Sequence, residues 1–266
     1  MKNIRKIRFL LAICLLSTVS CDKDDLDLSY QELDFFKDKL GCMNMSRPVD
    51  SYDYPVYPTM DKWAEFNTKE EMMQACEIST KKLRSMSTQA IIQALWEYPF
   101  FIEIIHRSDH FQMDFESVMD NNAYRELEKR TDASICLLER FRIMPSICDA
   151  VIHPKAFEVL ISQPVFLSGF SPEEKKEVIR LSFEKDGIRQ EDPDHANSAT
   201  RETCWLLVGR VMQAAEYTPF IDEINRNEKL RLFLETSILD RRIGFYYEET
   251  VPMLENLINH GKEFSK

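Results

Sequence analysis

The chain has 266 residues, with 45 acidic against 34 basic side chains and a net charge of −11. That balance argues against holding nucleic acid or anionic headgroups by bulk electrostatics. Only 6 Gly are present, so glycine-rich phosphate loops and tight hairpins have little to draw on. The plentiful Met, Leu, Glu, Lys and Arg suit helices.

The chain opens with a basic stretch, Lys2, Arg5, Lys6 and Arg8, followed by the apolar run Phe9-Leu10-Leu11-Ala12-Ile13-Cys14-Leu15-Leu16. That run is too short for a permanent membrane helix. Ser17-Thr18-Val19-Ser20-Cys21 follows, with small side chains where a signal peptidase must fit the backbone. These residues resemble the lipobox of bacterial lipoproteins, although Thr18 stands where leucine is usual. The resemblance implies that residues 1–20 are a lipoprotein signal peptide and that Cys21 is the lipid attachment site and first residue of the mature chain. Asp22-Lys23-Asp24-Asp25-Leu26-Asp27 resembles the surface-export signal of Bacteroidetes lipoproteins. It implies a place on the outer leaflet of the outer membrane, facing out at the cell surface. Two or more acyl chains anchor stably where one is marginal. The implied membrane partner is therefore engaged through N-terminal acyl chains, with no transmembrane helix.

Without the signal about 245 residues remain, enough for one large domain or two small ones. Residues 21–62 read as a lipid-anchored tether followed by an extended Tyr/Pro-rich segment, and residues 63–266 as a helical domain. Within the first part, residues 30–40 suit a short helix with Leu33, Phe36 and Leu40 on one face. Arg47-Pro48-Val49-Asp50-Ser51-Tyr52-Asp53-Tyr54-Pro55-Val56-Tyr57-Pro58 favours extended backbone. Its rings are expected to pack across the domain, the alternative being an exposed strip that stacks on sugars or peptides.

From Trp63 onward, helix start signals recur. Thr68 and Glu71 form a capping box, and Ser87 can cap a helix whose Ile91, Ile92, Leu95 and Trp96 line an apolar stripe ending at Pro99. A helix from Thr131 or Asp132 should turn Ile135, Leu138 and Phe141 inward. Pro145 and Pro154 each suit a helical first turn. Ser171-Pro172-Glu173-Glu174 is a strong start for a helix expected to stop near Asp186-Gly187. Residues 198–217 read as an amphipathic helix with Cys204, Val208, Val211 and Ala215 on one stripe, and helices over 227–236 and 245–260, the latter including Leu254, close the chain. The fold class is all-α: about ten short amphipathic helices in a bundle or a short solenoid. Gln93-Ala94-Leu95-Trp96-Glu97-Tyr98-Pro99-Phe100 is echoed by Gln213-Ala214-Ala215-Glu216-Tyr217-Thr218-Pro219-Phe220, with a shift of one. That is either the mark of two related units or a coincidence.

No catalytic signature emerges. His106 and His110 would share a helix face near Glu103 and Asp109, but the glutamate next to the first histidine that a zincin needs is replaced by Arg107. Both histidines are expected to be unliganded. Glu173-Glu174 and Glu248-Glu249 read as solvated carboxylates, Arg241-Arg242 as a solvated helix start, and Ser168-Gly169-Phe170-Ser171 as a loop and cap. Cys42, Cys76, Cys136, Cys148 and Cys204 remain after the signal and Cys21, with no CxxC pair. Most suit small core positions, and one disulfide stays open. The expectation is no cofactor, no metal site, no catalytic residue and no nucleic-acid partner. Two readings of function follow: a lipid-anchored helical binding module with a protein or glycan partner, or a lipid-anchored hydrolase of extracellular polysaccharide or peptide.

Overall fold

The computed structural model describes residues 47–58, 60–100, 111–147, 152–192, 201–239, 241–242, 245–246, 248 and 250–266. It is all-α, with fourteen helices among the described residues. An extended strap at the N-terminus leads into α1 (Asp61–Ala64), α2 (Lys69–Ala75), α3 (Thr80–Ser85) and α4 (Thr88–Trp96). Then come α5 (Phe111–Met119), α6 (Asn122–Leu127), α7 (Ala133–Ile143), α8 (Ile152–Ile161) and α9 (Pro164–Leu167). The long α10 (Pro172–Glu191), α11 (Glu202–Ala214), α12 (Thr218–Arg226), α13 (Glu228–Thr236) and α14 (Thr250–Phe264) complete the array.

Side-chain caps set many of the helix starts. Ser79, Ser87, Asn121, Asn227 and Ser171 each accept a backbone N–H of the first turn. At Ser171 the box closes both ways, with Glu174 N donating to the hydroxyl and Ser171 N donating to the Glu174 carboxylate at 2.8 Å. At Thr68 only half of it forms: Glu71 N donates to Thr68, but the Glu71 carboxylate accepts from Asn67 N at 2.7 Å.

The helices surround a central one. Every residue from Glu202 to Met212 in α11 is buried, and α8, α9, α10, α12, α13 and α14 pack around it. The stripe of Cys204, Val208 and Val211 is thus only part of a helix buried all round, and Ala215 is its half-buried C-cap. A smaller group packs α6 and α7 on α4, and α8 joins the two by touching α5, α7 and α11. Contacts such as α5 with α13 skip many elements, so the arrangement is a bundle around a buried helix, not a solenoid of nearest neighbours. One hydrophobic cluster runs from Tyr54 to Leu257.

Ile92, Leu95, Trp96, Leu138, Phe141, Val208, Val211 and Leu254 all lie in that core. Ile135 does not; it is 37% exposed. The buried face of α7 is centred on Leu137 with Ala133, Arg140 and Phe141, and at about 100° per residue Ile135 points about 160° away from it. Residues 186–187 do not end a helix either, since α10 continues to Glu191. Pro145 follows α7 instead of opening a helix, while Pro154 lies in the first turn of α8. Arg241-Arg242 is not a helix start: it forms β1 (Arg241–Arg242), antiparallel to β2 (Phe245–Tyr246) in register Arg241↔Tyr246, and the last helix begins only at Thr250. The cross-strand pairing of Arg242 with Phe245 holds both residues in extended backbone, which rules out the helix reading here.

The Tyr/Pro segment packs its rings on the domain. Tyr54 and Val56 are buried, and the Tyr54 hydroxyl donates to Ala94 O at 3.0 Å. Tyr52, Tyr57 and Tyr98 surround the Tyr54 ring.

Candidate functional site

The chemistry-bearing groups that the fold brings together lie where α8, α10 and α11 meet. Glu158 stands in the apolar run Phe157-Glu158-Val159-Leu160 of α8, so burying that run carries its carboxylate inward. Arg189, from the far end of α10, meets it with Nη2–Oε1 at 2.5 Å and Nη1–Oε2 at 3.3 Å. Thr203 Oγ1, in the first turn of α11, donates to Glu158 Oε2 at 2.6 Å. Arg189 Nε also donates to Ser146 O at 3.0 Å, and Lys185 Nζ donates to Met144 O. Arg189 thereby ties α10 to α8 and to the segment after α7. Burial disfavours its cation, but Glu158 outweighs that and holds the guanidinium pKa above its ordinary value.

One turn back on α10, Asp186 accepts from Arg201 Nε and Nη2, both at 2.9 Å, and from Gln190 Nε2 at 2.8 Å. Arg201 also stacks over the Trp205 ring at 4.9 Å. Lys155, on α8, places its ammonium 5.2 Å over the Phe111 ring. Burial pushes its amine down to about 8, against the opposing pull of Glu202 and Glu158.

A second polar knot centres on Arg210 of α11. Its Nε donates to Leu234 O at 2.8 Å and its Nη2 to Glu235 O at 3.2 Å. Its Nη1 donates to Gln112 Oε1 at 2.7 Å and to Ser162 Oγ at 3.3 Å. Burial pushes the guanidinium down to about 10. The carbonyls it meets belong to the last turn of α13, the negative end of that helix, so the cation is a C-terminal cap reaching in from a neighbour. Ser237 ends α13 at φ 59, a left-handed position where glycine is usual, and its hydroxyl accepts from Gln112 N at 2.8 Å.

The residues singled out from sequence fall elsewhere. Cys21, Lys23-Asp24-Asp25, Glu103, His106, Asp109, His110, Cys42 and Cys148 lie outside the described residues. Glu174 closes the Ser171 box and Glu173 is exposed, 3.8 Å from Lys176. Glu248 is exposed, and Glu249 lies outside the described residues. Gly169 belongs to the turn before the Ser171 cap, where a Cβ would stand 2.2 Å from Ser134 Oγ. Cys76, Cys136 and Cys204 are free and buried. Burial pushes the Cys76 thiol up to about 12 and the Cys136 thiol up to about 11. The knots at Glu158–Arg189 and Arg210 went unread in the sequence. Their signal was a lone charge inside an apolar run, as in Leu206-Leu207-Val208-Gly209-Arg210-Val211-Met212. Among the described residues no group of three or more His, Cys, Asp or Glu is placed to hold a metal ion. Nor is any helix there long and apolar enough to cross a membrane.

Comparison of the chain with protein-family models, with curated proteins and with solved structures returns no match.

Proposed function

We propose that this chain is a lipid-anchored binding module, held by acyl chains on Cys21 and displayed on the outer face of the outer membrane, with a protein or glycan as its partner. The anchor half of the reading is supported by Lys2 to Cys21, a basic start, an apolar run and small residues before a cysteine. The module half is supported by how the domain uses its buried charges. Glu158 and Asp186 each meet a guanidinium from another part of the chain, and Arg210 meets helix-end carbonyls. These groups act as fasteners between helices, a use that suits a rigid scaffold presenting its surface.

The test is mass spectrometry of the mature N-terminus together with protease shaving of intact cells. Acylated Cys21, and loss of the domain on shaving, are expected. Cys21→Ala should release the protein or leave an uncleaved precursor, and alanine at Lys23, Asp24 and Asp25 should retain acylation while removing sensitivity to shaving. An unacylated mature N-terminus sinks the anchor reading. Equal shaving of the wild type and the alanine variant sinks the export reading.

A further inference from the structure

We propose that the α3 face, with the turn that follows α6, seats on the phosphate-bearing headgroups of the membrane that holds the anchor. The inference rests on the lipid-anchor reading and adds an orientation to it. The sequence of α3, Thr80-Lys81-Lys82-Leu83-Arg84-Ser85, carries three cations and no acid. Leu83 is buried, while Lys81 and Arg84 are exposed at i,i+3, neighbours on one helix face. Arg130 Nη2 donates to Leu83 O at 2.9 Å, which fastens the turn Glu128-Lys129-Arg130-Thr131 to the end of α3. Arg130 is paired with Glu126 at 3.0 Å and Arg125 with Asp120 at 2.9 Å. The side chains of Lys81, Arg84 and Lys129 make no hydrogen bond or ion pair among the described residues, and Glu128 is the one acid of α3 and that turn. A chain of net charge −11 therefore turns a locally cationic face outward here.

The strap packs against the same place at Asp50. Lys82 Nζ donates to Asp50 O at 3.1 Å, and Ser87, just past α3, donates from its N and Oγ to the Asp50 carboxylate. Residues 21 to 47, fully extended, span at most about 90 Å. The anchor therefore delivers this face to within that reach of the membrane surface. Attraction between lysine or arginine and anionic headgroups acts within roughly a Debye length, about 8–10 Å, and delivery by the anchor raises the time the face spends there.

The experiment uses the full acylated chain in vesicles of phosphatidylcholine alone, or of phosphatidylcholine and phosphatidylglycerol in equal parts. An amine-reactive reagent is followed residue by residue by mass spectrometry. Lys81 and Lys129 should label about threefold or more slowly in the anionic vesicles, and high salt should restore the rate, as expected for screened surface charge. Lys262, exposed on α14, should label equally in both. With R84E and K129E together, both exposed positions, Lys81 should lose the difference. Equal rates in the two vesicles, or a slowing of Lys262 that matches that of Lys81, overturns the proposal. An unacylated Cys21 would defeat the anchor reading alone. The same labelling with the full chain added to free vesicles then decides the surface, where salt-sensitive slowing upholds it and its absence overturns it.

Discussion

Glu158 and Arg189 face each other across the core with 0% and 1% of their side chains exposed, and Thr203 completes the carboxylate's hydrogen bonds. An ion pair this dry gains little over a well-packed apolar pair, because desolvating both charges offsets their attraction. Its larger consequence is that neither partner tolerates the loss of the other. Glu158→Ala should cost about 3–5 kcal/mol in urea denaturation, whereas Glu158→Leu with Arg189→Met should recover most of that loss. Equal destabilisation by the single and the double variant would mean that the charges themselves hold α8 to α10.

Three glycines on helices should respond with opposite signs. A Cβ on Gly209 would stand 2.4 Å from Leu234 Cδ2, and one on Gly261 would stand 2.7 Å from Val208 Cγ1 and 2.8 Å from Phe183 Cζ. These are the close approaches that let α13 and α14 lie against α11, and overpacking them with alanine should cost about 1–3 kcal/mol. Gly187 on α10 has nothing within 4 Å of an added Cβ. Gly187→Ala should stabilise by about 0.5–1 kcal/mol through helix propensity. Thermal unfolding of the three variants measures both effects.

Lys155 should leave a signature in the alkaline limb of stability. Its amine is lowered from 10.5 to about 8 by burial, so between these values the unfolded chain binds more protons than the folded one. Stability linked to this group therefore rises with pH across that window; the penalty is fully present below about 8 and gone above 10.5. Lys155→Met removes the penalty at every pH. The stability gain of the variant over the wild type should then shrink as pH climbs from 8 to 10.5. Comparing the two proteins cancels the opposite trend from Tyr98 and Cys76, whose ionisation burial pushes up to about 12. A difference that stays flat with pH would show that the amine titrates normally.

The strap should prove to be part of the domain through its rings more than through its charges. Arg47 bridges Glu97 at 2.9 Å and Asp53 at 2.7 Å with 40% of its side chain exposed, so Arg47→Ala should cost at most about 1 kcal/mol. Tyr54 fills the core and donates to Ala94 O, so Tyr54→Ala should cost about 3–5 kcal/mol and expose residues 47–58 to protease. Limited proteolysis followed by mass spectrometry reads the strap directly.

Helix starts were legible because caps are local. The hydroxyls of Ser87 and Ser171 need only the next turn of their own chain. Helix ends were less so, and Gly187 shows why. Its intrinsic cost of about 1 kcal/mol is overridden by Lys185, Asp186 and Arg189, whose partners lie on other parts of the chain. Ile135 was misplaced for a related reason: α7 offers apolar residues on more than one side, and only its neighbours decide which side is inside.

The sequence by itself determined the helical class, the caps at Thr68, Ser87 and Ser171, the apolar stripes of α4 and α11, and the lipobox-like start that carries the proposed anchor. Tertiary structure alone decided that α11 is buried on every side, that Arg210 caps a helix it does not belong to, and that Glu158 finds Arg189 from 31 residues away. Periodicity reports which residues of one helix share a face. Which helix that face meets depends on long-range packing, where a buried charge is stable only if distant residues supply its hydrogen bonds.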